Sequence, residues 1–96
     1  MKEFLDGLSD DDAAAVLDAM REVRDEGLAA ARHLDGEIWE VRVDGLRVIY
    51  RILFAPQGAK GRVLLSLEAF KKKTRRTPKD KIALAKRRLR DWERRG

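Results

Sequence analysis

Ninety-six residues leave room for one small domain, 1–96, and exclude a two-domain enzyme. The absence of cysteine rules out a disulfide framework and a thiolate nucleophile, and a single histidine cannot supply a zinc site of the usual His/Cys kind, so neither metal nor cofactor is expected. The net charge of +5 conceals a division: residues 1–68 carry nine Lys/Arg against fourteen Asp/Glu, whereas 69–96 carry thirteen against three. Cations gathered in this way attract a polyanion, because neutralising phosphates releases condensed counterions whatever the base sequence, and nucleic acid is the leading partner. No run of about 18 apolar residues occurs and the stretch Met1–Asp6 lacks the apolar core of a secretory signal, so a cytoplasmic protein with no membrane span is expected.

In chain order, Ser9 ahead of Asp10, Asp11 and Asp12 predicts a helix start: the hydroxyl caps a free amide and the carboxylates face the positive end of the helix dipole. Ala13, Val16, Leu17, Met20 and Val23 then recur at helical spacing, and Gly27 is the stop. Leu28–Leu34 is expected to add a short second helix before the Asp35-Gly36 turn. Next the period changes to two. Trp39, Val41 and Val43 alternate with Glu40 and Arg42, Asp44-Gly45 is a favoured two-residue hairpin turn, and Leu46, Val48, Tyr50, Ile52 and Phe54 form the matching face of the next strand. That turn sets Val43 opposite Leu46, Val41 opposite Val48 and Trp39 opposite Tyr50, all apolar or aromatic pairs. Residues 55–61 read as a loop, and Val63, Leu64, Leu65 and Leu67 as a third strand. Thr77, Pro78 and Asp80 fit the cap, first position and capping-box position of a final helix whose apolar stripe is Ile82, Ala85, Leu89 and Trp92. The expected fold class is α+β: an N-terminal helix or helical hairpin, an antiparallel sheet of three or four strands, and a basic C-terminal helix.

The predicted register sets Arg42 opposite Arg47 on the outer face of the hairpin, with Arg51 further along it. Like charges so paired repel unless an anion such as a phosphate lies between them; alternatively Glu40 neutralises the pair. Further on, Phe70-Lys71-Lys72-Lys73-Thr74-Arg75-Arg76 concentrates five cations beside an aromatic ring and ahead of a helix N-terminus, a segment suited to phosphates with a base stacked on Phe70. Read without chemistry, the same segment is a solvated basic loop that docks on RNA or an acidic protein. Lys81, Lys86, Arg87, Arg88 and Arg90 extend the positive surface as general electrostatics.

Ile38-Trp39-Glu40-Val41-Arg42, then Gly45-Leu46-Arg47-Val48-Ile49-Tyr50-Arg51, Leu64-Leu65, and Phe70-x-Lys72-Lys73-Thr74-x-x-Thr77-Pro78 together resemble the phage-derived, HigB-like branch of the RelE superfamily of toxins, over roughly residues 4–92. The resemblance implies a RelE-like α+β fold, cleavage of messenger RNA on the ribosome, and neutralisation in a hetero-oligomer by a cognate antitoxin, often a helix-turn-helix protein. It matches Arg47 and Tyr50 to the family's Arg-x-x-Tyr strand, and Lys72 and Lys73 to its paired lysines before Thr74. Members commonly begin with a further strand ahead of Glu3-Phe4-Leu5-Asp6; either the sheet has lost an edge strand or this start lies downstream of the natural one.

RNA carries its own nucleophile, the 2′-hydroxyl, so cations and a proton carrier suffice for cleavage without metal. Arg47 is assigned to stabilise charge on the phosphoryl group, assisted by Arg42 or Arg51, because a guanidinium stays charged and grips two oxygens. Lys72 or Lys73 is the proton carrier, its ammonium form disfavoured by surrounding positive charge. The catalytic set is therefore Arg47, Lys72, Lys73 and Arg51, and the RNA-binding set Arg42, Phe70, Lys71, Thr74, Arg75 and Arg76. His33 is expected to be structural, Tyr50, Trp39 and Trp92 to pack, and Glu40 to orient Arg42 or Arg47. The alternative function is a non-catalytic module that occupies RNA or the ribosome and blocks translation. A membrane contact through the last helix is disfavoured, since its apolar stripe is needed to dock it on so small a core.

Overall fold

The computed structural model describes residues 6–58, 63–71 and 76–95. Helix α1, Asp10–Glu26, starts where the sequence places it: the Ser9 hydroxyl accepts the Asp12 amide at 3.2 Å, and Gly27, at φ +88°, returns its own amide to the Val23 carbonyl. After a single 3₁₀ turn at Leu28–Ala30 come four strands, β1 Arg32–Asp35, β2 Ile38–Asp44, β3 Ile49–Gln57 and β4 Val63–Lys71, and then helix α2, Lys79–Arg95. The strands form one antiparallel sheet in the order β1-β2-β3-β4. The fold class is α+β as expected, with the sheet of four strands. The short second helix over Leu28–Leu34 is corrected to the 3₁₀ turn followed by β1, which pairs with β2 through Arg32–Glu40 and His33–Trp39. Nor does a loop begin at Ala55: β3 runs on to Gln57, and Pro56 fits there because it lies beyond the last β2 pair, Trp39–Phe54.

Each face of the sheet is covered by one helix. Val16 and Val23 of α1 pack on Val41, Val43, Tyr50, Ile52 and Phe54. On the other face Ala85 and Leu89 of α2 pack on Ile38, Leu53, Ala55 and Leu67. Leu67 sits at a bulge, two residues of β4 against one step of β3, and is buried toward α2, with its carbonyl taken by the Arg88 guanidinium at 2.6 Å. Two side chains depart from their predicted stripes: Leu17 is half exposed because the inward face of α1 runs through Asp12, Val16 and Val23, and Trp92 is 45% exposed near the end of α2.

The hairpin register differs from the expected one. Val43 lies opposite Tyr50, Arg42 opposite Arg51, Val41 opposite Ile52 and Trp39 opposite Phe54. In place of a two-residue turn, residues 45–48 form the connection, closed by a Gly45 amide to Val48 carbonyl bond of 2.8 Å. The displacement is four residues, an even number, so the side chains that remain in β2 and β3 keep their predicted faces while all the partners change; Leu46, expected on the core face, moves into the loop and is 72% exposed.

Candidate functional site

One end of the sheet collects Arg42, Arg47, Arg51, Phe70 and Lys71, five of the candidate groups among the described residues. The end of β2, the start of β3 and the end of β4 meet there, because Asp44 pairs with Ile49 and Tyr50 with Lys71. The 45–48 loop bearing Arg47 projects from that end, and the chain leaves β4 for the basic segment at Lys71. Arg42, Arg51 and Phe70 form one row across three strands on the α2 face, with Arg42 and Phe70 about 10 Å apart at two strand spacings. Lys72, Lys73, Thr74 and Arg75 lie outside the described residues.

Within this arrangement the cations differ sharply. Arg47 is exposed and makes no ion pair or hydrogen bond among the described residues. Its predicted partner, Arg42, is not opposite it: Arg42 faces Arg51, is exposed, and holds the Asp44 carboxylate at 3.3 Å. Lys71 and Arg76 are exposed. Phe70 is half buried against the Leu53 and Leu67 cluster, with the Lys81 ammonium 5.4 Å from its ring centroid, so part of that ring is already covered.

Arg51 is the main departure. Expected on an open face, it is 5% exposed, because α2 covers that face. Its guanidinium donates to the Thr77 hydroxyl at 3.1 Å and lies 3.8 Å from the Glu40 carboxylate, to which Thr77 also donates. Glu40, 6% exposed, therefore holds Arg51 and Thr77 and not Arg42 or Arg47. Thr77 directly precedes Pro78, whose carbonyl accepts the Lys81 amide at 3.1 Å, so the buried cluster ties the entry of α2 to the middle of the sheet.

Tyr50 is core, 3% exposed, and its hydroxyl also binds: it donates to Asp12 Oδ2 at 2.7 Å. Asp12 Oδ1 accepts the Leu46 amide at 2.9 Å. The Tyr50 hydroxyl and the Leu46 amide hold the Asp12 carboxyl below its ordinary range, aided by the charge of Lys71 and opposed by burial. The same bond, together with burial, raises the Tyr50 hydroxyl. Sequence reasoning saw Asp12 only as one of three acids at a helix start. A usable signal was present: Asp12, Val16 and Val23 share one stripe at helical spacing, and a carboxylate on an apolar stripe needs a buried partner.

His33 lies on β1, not in a helix or loop; its Nε2 donates to the Gly36 carbonyl at 2.7 Å and its ring meets Trp39 edge-on at 5.0 Å, a structural setting. Among the described residues no group of three His, Cys, Asp or Glu is placed to hold a metal ion, and no helix is long and apolar enough to cross a membrane.

The family model described as phage derived protein Gp49-like (DUF891) matches residues 3–90. The chain belongs to this family. Gp49-like proteins are associated with RelE-type, toxin-like proteins, in keeping with the motif order in the hairpin and after β4. Searches of the curated proteins and of the solved structures found no match.

Proposed function

We propose that this protein is the toxin of a type II toxin-antitoxin system, HigB-like within the RelE superfamily, and that it cleaves messenger RNA on the ribosome as a metal-independent endoribonuclease. The observation that carries the reading is the shared end of the sheet, where the exposed Arg47 loop stands beside Lys71 and the start of the basic segment. Membership of the Gp49-like family supports it.

The RNA 2′-oxygen attacks the adjacent phosphorus and loses its proton; the bond to the 5′-oxygen breaks and that oxygen takes a proton, leaving a 2′,3′-cyclic phosphate and a 5′-hydroxyl. Arg47 stabilises the extra negative charge on the phosphoryl oxygens, with Arg42 assisting from the neighbouring strand. Lys72 or Lys73 carries the proton. Arg51, buried with Glu40 and Thr77, serves as a positioning residue rather than a phosphate contact. Lys71, Thr74, Arg75 and Arg76 bind the RNA backbone, and Phe70 supports a base edge. Messenger RNA and the ribosome are the partners in the cytoplasm, and a cognate helix-turn-helix antitoxin covers the cations in a hetero-oligomer.

Expression of the wild-type and Arg47→Ala proteins with mapping of RNA ends tests this. Growth arrest, cyclic-phosphate ends that survive EDTA, and a fall of about 10²–10³ in rate for Arg47→Ala are expected. Magnesium-dependent cleavage to a 5′-phosphate would reject the mechanism. The burial of Arg51 favours one other reading, a non-catalytic module, since it removes one arginine from the exposed set; translation would then fall with message ends intact.

A further inference from the structure

The loop that carries Arg47 is held by α1. Asp12 sits at the third position of that helix, 8% exposed, and its carboxylate spans to the hairpin by two bonds: Oδ1 to the Leu46 amide at 2.9 Å and Oδ2 to the Tyr50 hydroxyl at 2.7 Å. The fit is close. A Cβ added at Gly45 would stand 2.8 Å from Asp12 Oδ1, from Tyr50 Cε2 and from the Val48 carbonyl oxygen. The amide of the residue before Arg47 is therefore fixed to a helix packed against the sheet, while the Leu46 side chain, 72% exposed, contributes little anchoring of its own.

We infer that Asp12 is a positioning residue for Arg47: through the Leu46 amide and the Tyr50 hydroxyl it fixes the loop from which the guanidinium reaches the scissile phosphate. This role rests on the nuclease reading above. Asp12 touches no substrate; it acts by holding the loop, so its loss lowers turnover and not RNA capture. The carboxylate accepts from both groups at once, whereas asparagine keeps one acceptor oxygen, so the Tyr50 hydroxyl must turn from donor to acceptor to meet the new amide.

The test compares wild type, Asp12→Asn, Tyr50→Phe, Arg47→Ala and the Asp12→Asn/Arg47→Ala double variant, with circular dichroism for folding, single-turnover RNA cleavage, and hydrogen exchange at the Leu46 amide. Asp12→Asn is expected to lower kcat between about tenfold and a hundredfold with KM nearly unchanged, the size of effect that a small misplacement of a reacting group produces. Leu46 exchange should accelerate in the same variant. In the Arg47→Ala background the Asp12→Asn change should cost less than about twofold, because it acts through the missing guanidinium. Tyr50→Phe, which keeps the Leu46 bond, should show a smaller loss of the same kind and carries the test if Asp12→Asn fails to fold. Independent, additive losses or an unchanged Leu46 exchange rate would overturn the role. Cleavage that needs Arg47 but is indifferent to Asp12 and Tyr50 would overturn the positioning role alone, whereas absence of cleavage by the wild-type protein would overturn the nuclease reading and the role with it.

Discussion

Replacing Arg51 by methionine separates a structural arginine from a chemical one. The side chains of Arg51 and Glu40 are each 6% exposed and 3.8 Å apart, with Thr77 bonded to both. Removing the guanidinium leaves the Glu40 carboxylate in a water-poor setting with the Thr77 hydroxyl as donor. Breaking a buried pair from one side costs about 3–5 kcal/mol. A domain of this size has roughly 5–15 kcal/mol in total, so the loss is a large fraction, and it lowers the melting temperature by roughly 12–40 °C. The internal control is the other arginine of the same row. Arg42 and Asp44 approach more closely, at 3.3 Å, but are 58% and 76% exposed, and Arg42→Met should cost no more than about 1 kcal/mol. Burial, not separation, decides between them. Urea and thermal unfolding of both variants, and of Glu40→Leu/Arg51→Met, give the comparison; the double variant should recover much of the loss, since it buries no lone charge. If Arg51→Met is as stable as wild type yet inactive in RNA cleavage, the buried-cluster reasoning is wrong and Arg51 is a substrate contact.

Gly45→Ala should destabilise by about 1–3 kcal/mol, as overpacking does, and shift the Leu46 amide resonance, because the new methyl meets three atoms at 2.8 Å; an unperturbed Leu46 amide would contradict the close fit. The Asp12–Tyr50 pair predicts stability at both ends of the pH scale. With its folded pKa lowered, Asp12 contributes fully above the ordinary carboxylate value of about 3.9, and that contribution is lost as pH falls through the folded value. Tyr50, with its pKa raised, contributes fully below about 10 and loses this as pH rises through its folded value. Urea midpoints of wild type minus Asp12→Asn against pH should narrow at the acid end, and a constant difference would refute the linkage. On the solvent side of α2, Arg87, Arg90 and Arg94 recur at helical spacing and have no ion-pair partner among the described residues, whereas Lys81, Lys86, Arg88 and Arg95 are paired. Changing the three to glutamine should lower the salt slope of single-stranded RNA binding by about 2, and an unchanged slope would exclude them as phosphate contacts.

The hairpin shows what a local reading can and cannot reach. Alternation in Trp39–Val43 and in the following strand gives the two faces correctly, because a period of two is fixed by backbone geometry alone. The partners are missed because Asp44-Gly45 is a good two-residue turn by its own chemistry, while the bond that holds the longer loop comes from Asp12, 34 residues away. Arg51 was legible in part. It is the one charged residue in the run from Ile49 to Ala55, and such near-continuous apolar strands are covered on both faces; the outward arginine is the less economical reading. β1 carried no comparable signal, since it has four residues, three of them exposed. The charge division along the chain needed no structure, yet where the cations gather depends on the strand ends, which only the register supplies.

Tyr50 and Arg51 are successive residues of β3 and so point to opposite faces of the sheet. Tyr50 reaches Asp12 in the first turn of α1, and Arg51 reaches Thr77 at the entry to α2. Two helices on opposite sides are thus referenced to adjacent backbone positions. Three residues before Tyr50 stands Arg47 on its loop; opposite Tyr50 stands Lys71, where the basic segment begins, and Thr77 bounds the far end of that segment. Arg47 and Lys71, where the basic segment begins, therefore lie some 24 residues apart in the chain but are measured from one short piece of strand. In the proposed nuclease that geometry would give the two buried polar clusters a use: each costs desolvation that a leucine would avoid, and each would fix one boundary of the surface on which the phosphodiester lies.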